Sequence, residues 1–206
     1  MNDFKLIIPF GESICLFNDL NIDDNKLITQ IKKCKFKSTF LNNKAYITED
    51  IKILDNISYG KEVKDMFLTR ILQSIKAMGY EVPIKIGTSW ATLTKPKSES
   101  HYHMHSNYWL SACYYPMGDI KDDFSIMFKR PTPLFFDIPR IGYSSFNSSD
   151  YKLNIKKGDF IVFSSALDHK IFYNNTKKDR ISLALNIIPN SIVGNDDSLI
   201  DYSVVK

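Results

Sequence analysis

Two hydrophobic periodicities divide the chain. From Lys61 to Met78, Val63, Met66, Phe67, Ile71, Leu72 and Ile75 recur at steps of three and four, which lines up one face of an α-helix, and Gly79 predicts its end. A shorter helix is predicted to open at Asp23-Asp24 and to run through Leu27, Ile28 and Ile31 to about Cys34. Phe4 to Phe10 reads as a strand. From Val82 onward the pattern changes to short apolar or alternating runs: Ile84 to Leu93, His101 to His105, Trp109 to Tyr115, Phe124 to Phe128, Leu134 to Phe136, Leu153 to Ile155, Phe160 to Phe163, His169 to Tyr173 and Arg180 to Ile188. Turn residues punctuate them, among them Pro116-Met117-Gly118-Asp119, Lys157-Gly158-Asp159 and Asn174-Asn175.

Short strands at this density predict a two-sheet β structure, jelly roll or sandwich, with the N-terminal helices packed outside one sheet. A chain of 206 residues suits one domain. We divide it into a mixed α/β flank over 1–81, a β core over 82–190 and a polar tail over 191–206 with a short strand at Tyr202 to Val205.

Composition narrows the function classes. The hydrophobic fraction of 44% is that of a folded globular chain. The net charge of +4 is scattered, apart from short pairs such as Lys32-Lys33, Lys156-Lys157 and Lys177-Lys178, so no nucleic-acid signal is present. Cys15, Cys34 and Cys113 are odd in number, far apart and form no CxxC pair, which suggests neither a disulfide framework nor a thiolate metal site and fits a reducing cytoplasm. Cys113 lies in the apolar run from Leu110 to Tyr115 and reads as a small buried hydrophobe. No signal peptide or membrane span is readable at the N-terminus.

The chemistry concentrates in histidine. Three of the four histidines fall within His101-Tyr102-His103-Met104-His105. On an extended strand their rings would share one face, with neighbours two residues apart separated by about 6.5 to 7 Å. Two such imidazoles can lean onto one ion at about 2.1 Å, whereas the outer two, about 13 Å apart, cannot share it. One adjacent pair is therefore the expected ligand set. The remaining histidine, His169, follows a turn and an apolar strand and is the candidate third ligand. The bland reading makes the triplet a polar surface strand and His169 a loop residue. Eleven residues further on, Arg180-Ile181-Ser182 opens an alternating strand. Its guanidinium and hydroxyl would suit the far carboxylate of a dicarboxylic cosubstrate chelated at the metal.

These residues resemble a known family. His103-Met104-His105, then Ser111-Ala112-Cys113-Tyr114-Tyr115, then Lys157-Gly158-Asp159-Phe160 through Asp168-His169, then Arg180-Ile181-Ser182-Leu183-Ala184-Leu185-Asn186 are similar to the 2-oxoglutarate/Fe(II) oxygenases distantly related to prolyl hydroxylases. Ser89-Trp90-Ala91 and Asp137-Ile138-Pro139-Arg140 add to the match, which covers roughly Ile84 to Ile188.

The resemblance implies a mainly β fold with flanking helices, a double-stranded β-helix or cupin-like jelly roll. It implies Fe(II) held by His103, His105 and His169, with His101 outside the set. It implies 2-oxoglutarate with its distal carboxylate on Arg180, assisted by Ser182 and Tyr114, and O₂ as oxidant. The activity implied is oxidative decarboxylation of 2-oxoglutarate to succinate and CO₂, coupled to hydroxylation of a C–H bond. Trp90, Tyr102, Trp109, Tyr114 and Tyr115 are candidate cavity aromatics. The wider superfamily uses two histidines and a carboxylate, and here His stands in the carboxylate's place. Glu99 and Asp168 are the nearby acids, but Asp168 adjoins His169 and would face the other way on a strand.

Two other readings share the histidines: a three-His cupin-type dioxygenase that does not use 2-oxoglutarate, and a non-catalytic metal-binding jelly-roll module. No motif identifies the substrate, small molecule or peptidyl group, or the oligomeric state.

Overall fold

A computed structural model of the chain describes residues 11–18, 20–39, 42–117, 125–132, 134, 138–144 and 146–205. The predicted Phe4 to Phe10 strand lies outside them, as do Phe124, Phe135, Phe136 and Asp137.

The alternating runs pair into one large antiparallel sheet. Its strands are β1 (Ile14–Phe17), β2 (Phe36–Thr39), β3 (Asn42–Thr48), β4 (Ile84–Thr94), β5 (Leu110–Tyr114), β8 (Phe160–Ser164) and β10 (Arg180–Pro189), in the order β1-β8-β5-β10-β4-β3-β2. A smaller sheet has the order β7-β6-β9, from β6 (Ser125–Lys129), β7 (Asp150–Asn154) and β9 (His169–Ile171). A last pair, β11 (Ile192–Val193) with β12 (Ile200–Asp201), closes the tail. The expected strand at Tyr202 to Val205 is instead a 3₁₀ turn over Tyr202–Val204.

The flank does more than supply helices, because β1, β2 and β3 extend the large sheet at both edges. Their short, mixed burial patterns hide the period-two signal on which a sequence reading depends. Helix α1 (Asp24–Ile31) starts where Asp23 caps it, accepting from the Lys26 amide at 3.0 Å. A short helix α2 (Ile53–Asn56) precedes α3 (Gly60–Ala77), which stops at Gly79 with φ +85°, a left-handed conformation open to glycine.

The register of the large sheet sorts its side chains. Across β4, β10 and β5, Trp90 stands opposite Ala184, which stands opposite Cys113, and Ser182 stands opposite Thr92. These residues face inward, toward the small sheet. The alternate set, Ala91, Leu183, Leu185, Tyr114 and Phe160, is 1% exposed or less and packs against Phe67 and its neighbours on α3. Phe67 stacks on Phe160 with ring centroids 4.5 Å apart and planes 3° from parallel. A second apolar cluster between the sheets joins Tyr115, Ile161 and Phe163 to Ile126 and Phe128.

Candidate functional site

A cavity of about 280 Å³ opens between the two sheets. Trp90, Thr92, Cys113, Tyr115, Ser182 and Ala184 line it from the large sheet, and His103, His105 and His169 stand together on its wall.

The histidines meet by a route different from the one the strand spacing predicts. Residues 101–105 form no continuous strand; only His103 bridges, antiparallel to His169. The His103 amide donates to the His169 carbonyl at 3.0 Å and the His169 amide returns a bond of 2.9 Å. The chain then crosses to the end of β8, where the His105 amide donates to the Ser165 carbonyl at 3.0 Å. Ring centroids lie 5.2 Å apart for His103 and His105, 4.5 Å for His103 and His169, and 5.2 Å for His105 and His169. One nitrogen from each ring lies within 4.8 Å of the others, and no other such group of metal-ligating side chains occurs among the described residues. His101 is exposed at the cavity edge and outside the group.

Two of the three rings are fixed by backbone carbonyls. His103 Nδ1 lies 2.9 Å from the His101 carbonyl, and His169 Nδ1 lies 2.9 Å from the Leu167 carbonyl. A carbonyl only accepts, so each Nδ1 carries the proton and each Nε2 keeps the lone pair a metal needs. Burial, with the neighbouring His103 adding to it, lowers His169 to about 3 and His105 to about 4. The His105 and His169 rings are therefore neutral at physiological pH, the form in which imidazole ligates. Thus the residues present fit a divalent cation. Neither nearby acid enters the cluster: Glu99 pairs with Lys170 at 2.9 Å.

Arg180 and Ser182 lie on the inward face of β10, as alternation predicts. A turn pinned by the buried Asn174 delivers them. The Asn174 side chain donates to the Thr94 and Lys178 carbonyls at 3.1 and 3.0 Å and accepts from the Thr176 amide and hydroxyl. Arg180 is 4% exposed and donates from Nη2 to the Phe172 carbonyl at 2.7 Å. It does not itself border the cavity but lies behind Cys113 and Tyr115, on both of which its charge acts. Burial pushes the Cys113 thiol up to about 11 and Tyr115 well above its ordinary value, partly offset by that charge. Cys113 is a wall of the cavity rather than plain core filling, a role its apolar sequence context conceals.

Tyr114 is a correction. Its hydroxyl donates to Asp24 Oδ1 at 2.7 Å and its ring packs 5.4 Å from Phe67, on the helix side of the sheet. One residue of strand parity separates it from Tyr115, which does line the cavity. Of the other candidate aromatics, Trp90 lines the cavity, whereas Trp109 packs edge-on against Tyr80 and Tyr102 hydrogen-bonds Asp150. Sequence reasoning missed Ala45 and Ile47, whose wall positions arise only when β3 joins β4.

Residues 88–186, which include the three histidines, Arg180 and Ser182, match the family described as "Putative 2OG-Fe(II) oxygenase". This stretch belongs to the 2OG-Fe(II) oxygenase family. No curated protein matches the chain by sequence. Solved structures similar to this chain include HygX from Streptomyces hygroscopicus, with nickel, 2-oxoglutarate and hygromycin B bound. It is 10% identical with a TM-score of 0.59, over 86% of this chain and 83% of that one. A prolyl-4-hydroxylase from Pseudomonas putida is 12% identical with a TM-score of 0.51, over 85% of this chain and 92% of that one. A Trichoplax adhaerens prolyl hydroxylase in complex with a hypoxia-inducible-factor peptide is 12% identical with a TM-score of 0.57, over 85% and 83%. At such identities the likeness establishes the fold, and the expected double-stranded β-helix is the fold of this chain.

Proposed function

We propose that this chain hydroxylates a C–H bond with Fe(II), 2-oxoglutarate and O₂, releasing succinate and CO₂. The observation that carries the reading is the convergence of His103, His105 and His169 on one cavity that Ser182 also borders, with Arg180 buried behind its wall, inside the family-matched stretch. The metal supplies oxygen activation, and the chain supplies its geometry. His103, His105 and His169 hold the ion through neutral imidazole nitrogens. Ser182 and Tyr115 face the distal carboxylate of the cosubstrate from the cavity wall, and the buried Arg180 charge behind them favours that carboxylate.

A cavity of about 280 Å³ is at the low end for a single bound small molecule, and it has to admit cosubstrate and reacting group together. The substrate, a small molecule or a peptide, therefore inserts its reacting group and leaves its body outside. Hygromycin B in HygX and the peptide in the Trichoplax enzyme illustrate both classes. No helix among the described residues is long and apolar enough to cross a membrane, and all three cysteines are free. A reducing, cytoplasmic location accords with those thiols.

Anaerobic addition of Fe(II) and 2-oxoglutarate should give the visible charge-transfer band of the chelate, and admission of O₂ should give succinate. Arg180→Ala should keep the metal and raise the apparent 2-oxoglutarate constant at least about tenfold, because a buried charge partner is worth about 2 to 5 kcal/mol. Arg180→Lys should recover part of it, since the planar fork is lost. A metal-loaded parent that neither binds nor consumes 2-oxoglutarate would overturn the reading in favour of a three-His dioxygenase or a binding module.

A further inference from the structure

The three histidines are held unequally. His103 and His169 each anchor Nδ1 on a backbone carbonyl, and their backbones are bridged to each other. The His105 ring has no hydrogen bond among the described residues. Besides the two other imidazoles of the cluster, each 5.2 Å from it, the aromatic group stacked on it is Trp90, whose ring is 5.4 Å away and 29° from parallel. Trp90 is fixed on the rigid centre of the large sheet, opposite Ala184 in the β4–β10 register. The small Ala184 side chain leaves room over that part of the sheet for the indole.

We propose that Trp90 is the positioning residue for His105, replacing by ring stacking the hydrogen bond that fixes the other two imidazoles. This rests on the reading of the cluster as a metal site. An unrestrained imidazole must lose side-chain freedom when it ligates, and an aromatic partner removes part of that loss beforehand. Offset stacking at 4.5 to 7 Å between centroids is the preferred arrangement for such a pair. Through His105, Trp90 sets how readily the third ligand closes on the ion. The stacked indole thus supports the one imidazole of the three that has no hydrogen-bonded ring nitrogen among the described residues.

The test uses Co(II) alone. The chain has two tryptophans, and Trp109 packs against Tyr80 away from the cavity, so Trp109→Phe leaves Trp90 as the sole indole reporter. In that protein one equivalent of Co(II) should quench most of the Trp90 emission, and His105→Ala should weaken the binding and change the visible Co(II) spectrum. Trp90→Phe should bind Co(II) like the parent. Trp90→Leu, which fills space without stacking, should bind about three- to tenfold more weakly with the spectrum of the His105→Ala protein. Trp90→Leu binding as the parent does, with an unchanged spectrum, would overturn the proposal, as would Co(II) binding that leaves Trp90 emission intact. His169→Ala separates the two readings. If it too leaves Co(II) binding unchanged, the metal site itself is wrong. If it abolishes binding while Trp90→Leu does not, only the positioning role falls.

Discussion

The two faces of the large sheet are built from the same strands and do opposite things. On the outer face Ala91, Tyr114, Phe160 and Leu183 are sealed beneath α3 in a wholly packed layer. On the inner face, shifted by one residue along each strand, Trp90, Cys113, Tyr115 and Ser182 border an open cavity, with buried Arg180 behind them. The outer face can be mainly apolar because nothing has to enter it, and its Tyr114 and Ser89 hydroxyls are satisfied by Asp24 and the Leu54 amide. The inner face keeps polar and ionisable groups that cost stability when buried, and the outer layer supplies the rigidity that holds them in place.

The sharpest test of this division removes the outer anchor. Phe67→Ala should cost about 3 to 5 kcal/mol in urea unfolding, because the ring fills the space between Phe160 and Tyr114. The fraction that remains folded should bind metal as the parent does; metal affinity that fell with it would break the separation of the faces.

A smaller effect probes the inner face. Burial holds His169 neutral in the folded chain down to about pH 3, while the unfolded chain takes up that proton near an ordinary histidine value of about 6.5. Between those values the unfolded state binds more protons, so metal-free protein should lose stability as the pH falls from 6.5. The slope should approach about 1.4 kcal/mol per pH unit for this ring, with His105 adding its share down to about pH 4. Thermal unfolding of metal-stripped protein at pH 7, 6 and 5 measures the slope. His169→Gln should flatten it, and an unflattened slope would assign the pH dependence to other groups.

The mildest test contrasts the adjacent tyrosines. Tyr114→Phe should cost about 1.5 kcal/mol of stability through the lost bond to Asp24 and leave the apparent 2-oxoglutarate constant unchanged. Tyr115→Phe should raise that constant severalfold. The reverse outcome would restore Tyr114 to the site and show the parity of β5 to be wrong.

The amino-acid sequence by itself determined the periodic elements and the identity of the chemical groups. Six apolar positions at helical spacing fix α3, with Gly79 at its end, and strict alternation fixes the inward set Arg180, Ser182 and Ala184 on β10. The histidine cluster is legible because four histidines in 206 residues leave few ways to build a metal site. Only the tertiary structure decided how those groups meet. Residues 101–105 hold no regular strand, so the approach of His103 and His105 to His169 depends on two backbone bonds to one segment and a third to Ser165. The choice between Tyr114 and Tyr115 rests on which face of β5 meets α3, and a run of apolar residues buried on both faces carries no period by which to tell. The cavity wall from β3 and the support of His105 by Trp90 are likewise contacts between segments far apart in the chain. Local sequence sets the direction of a side chain along its own strand, and the partner it meets there is set by the packing of the whole.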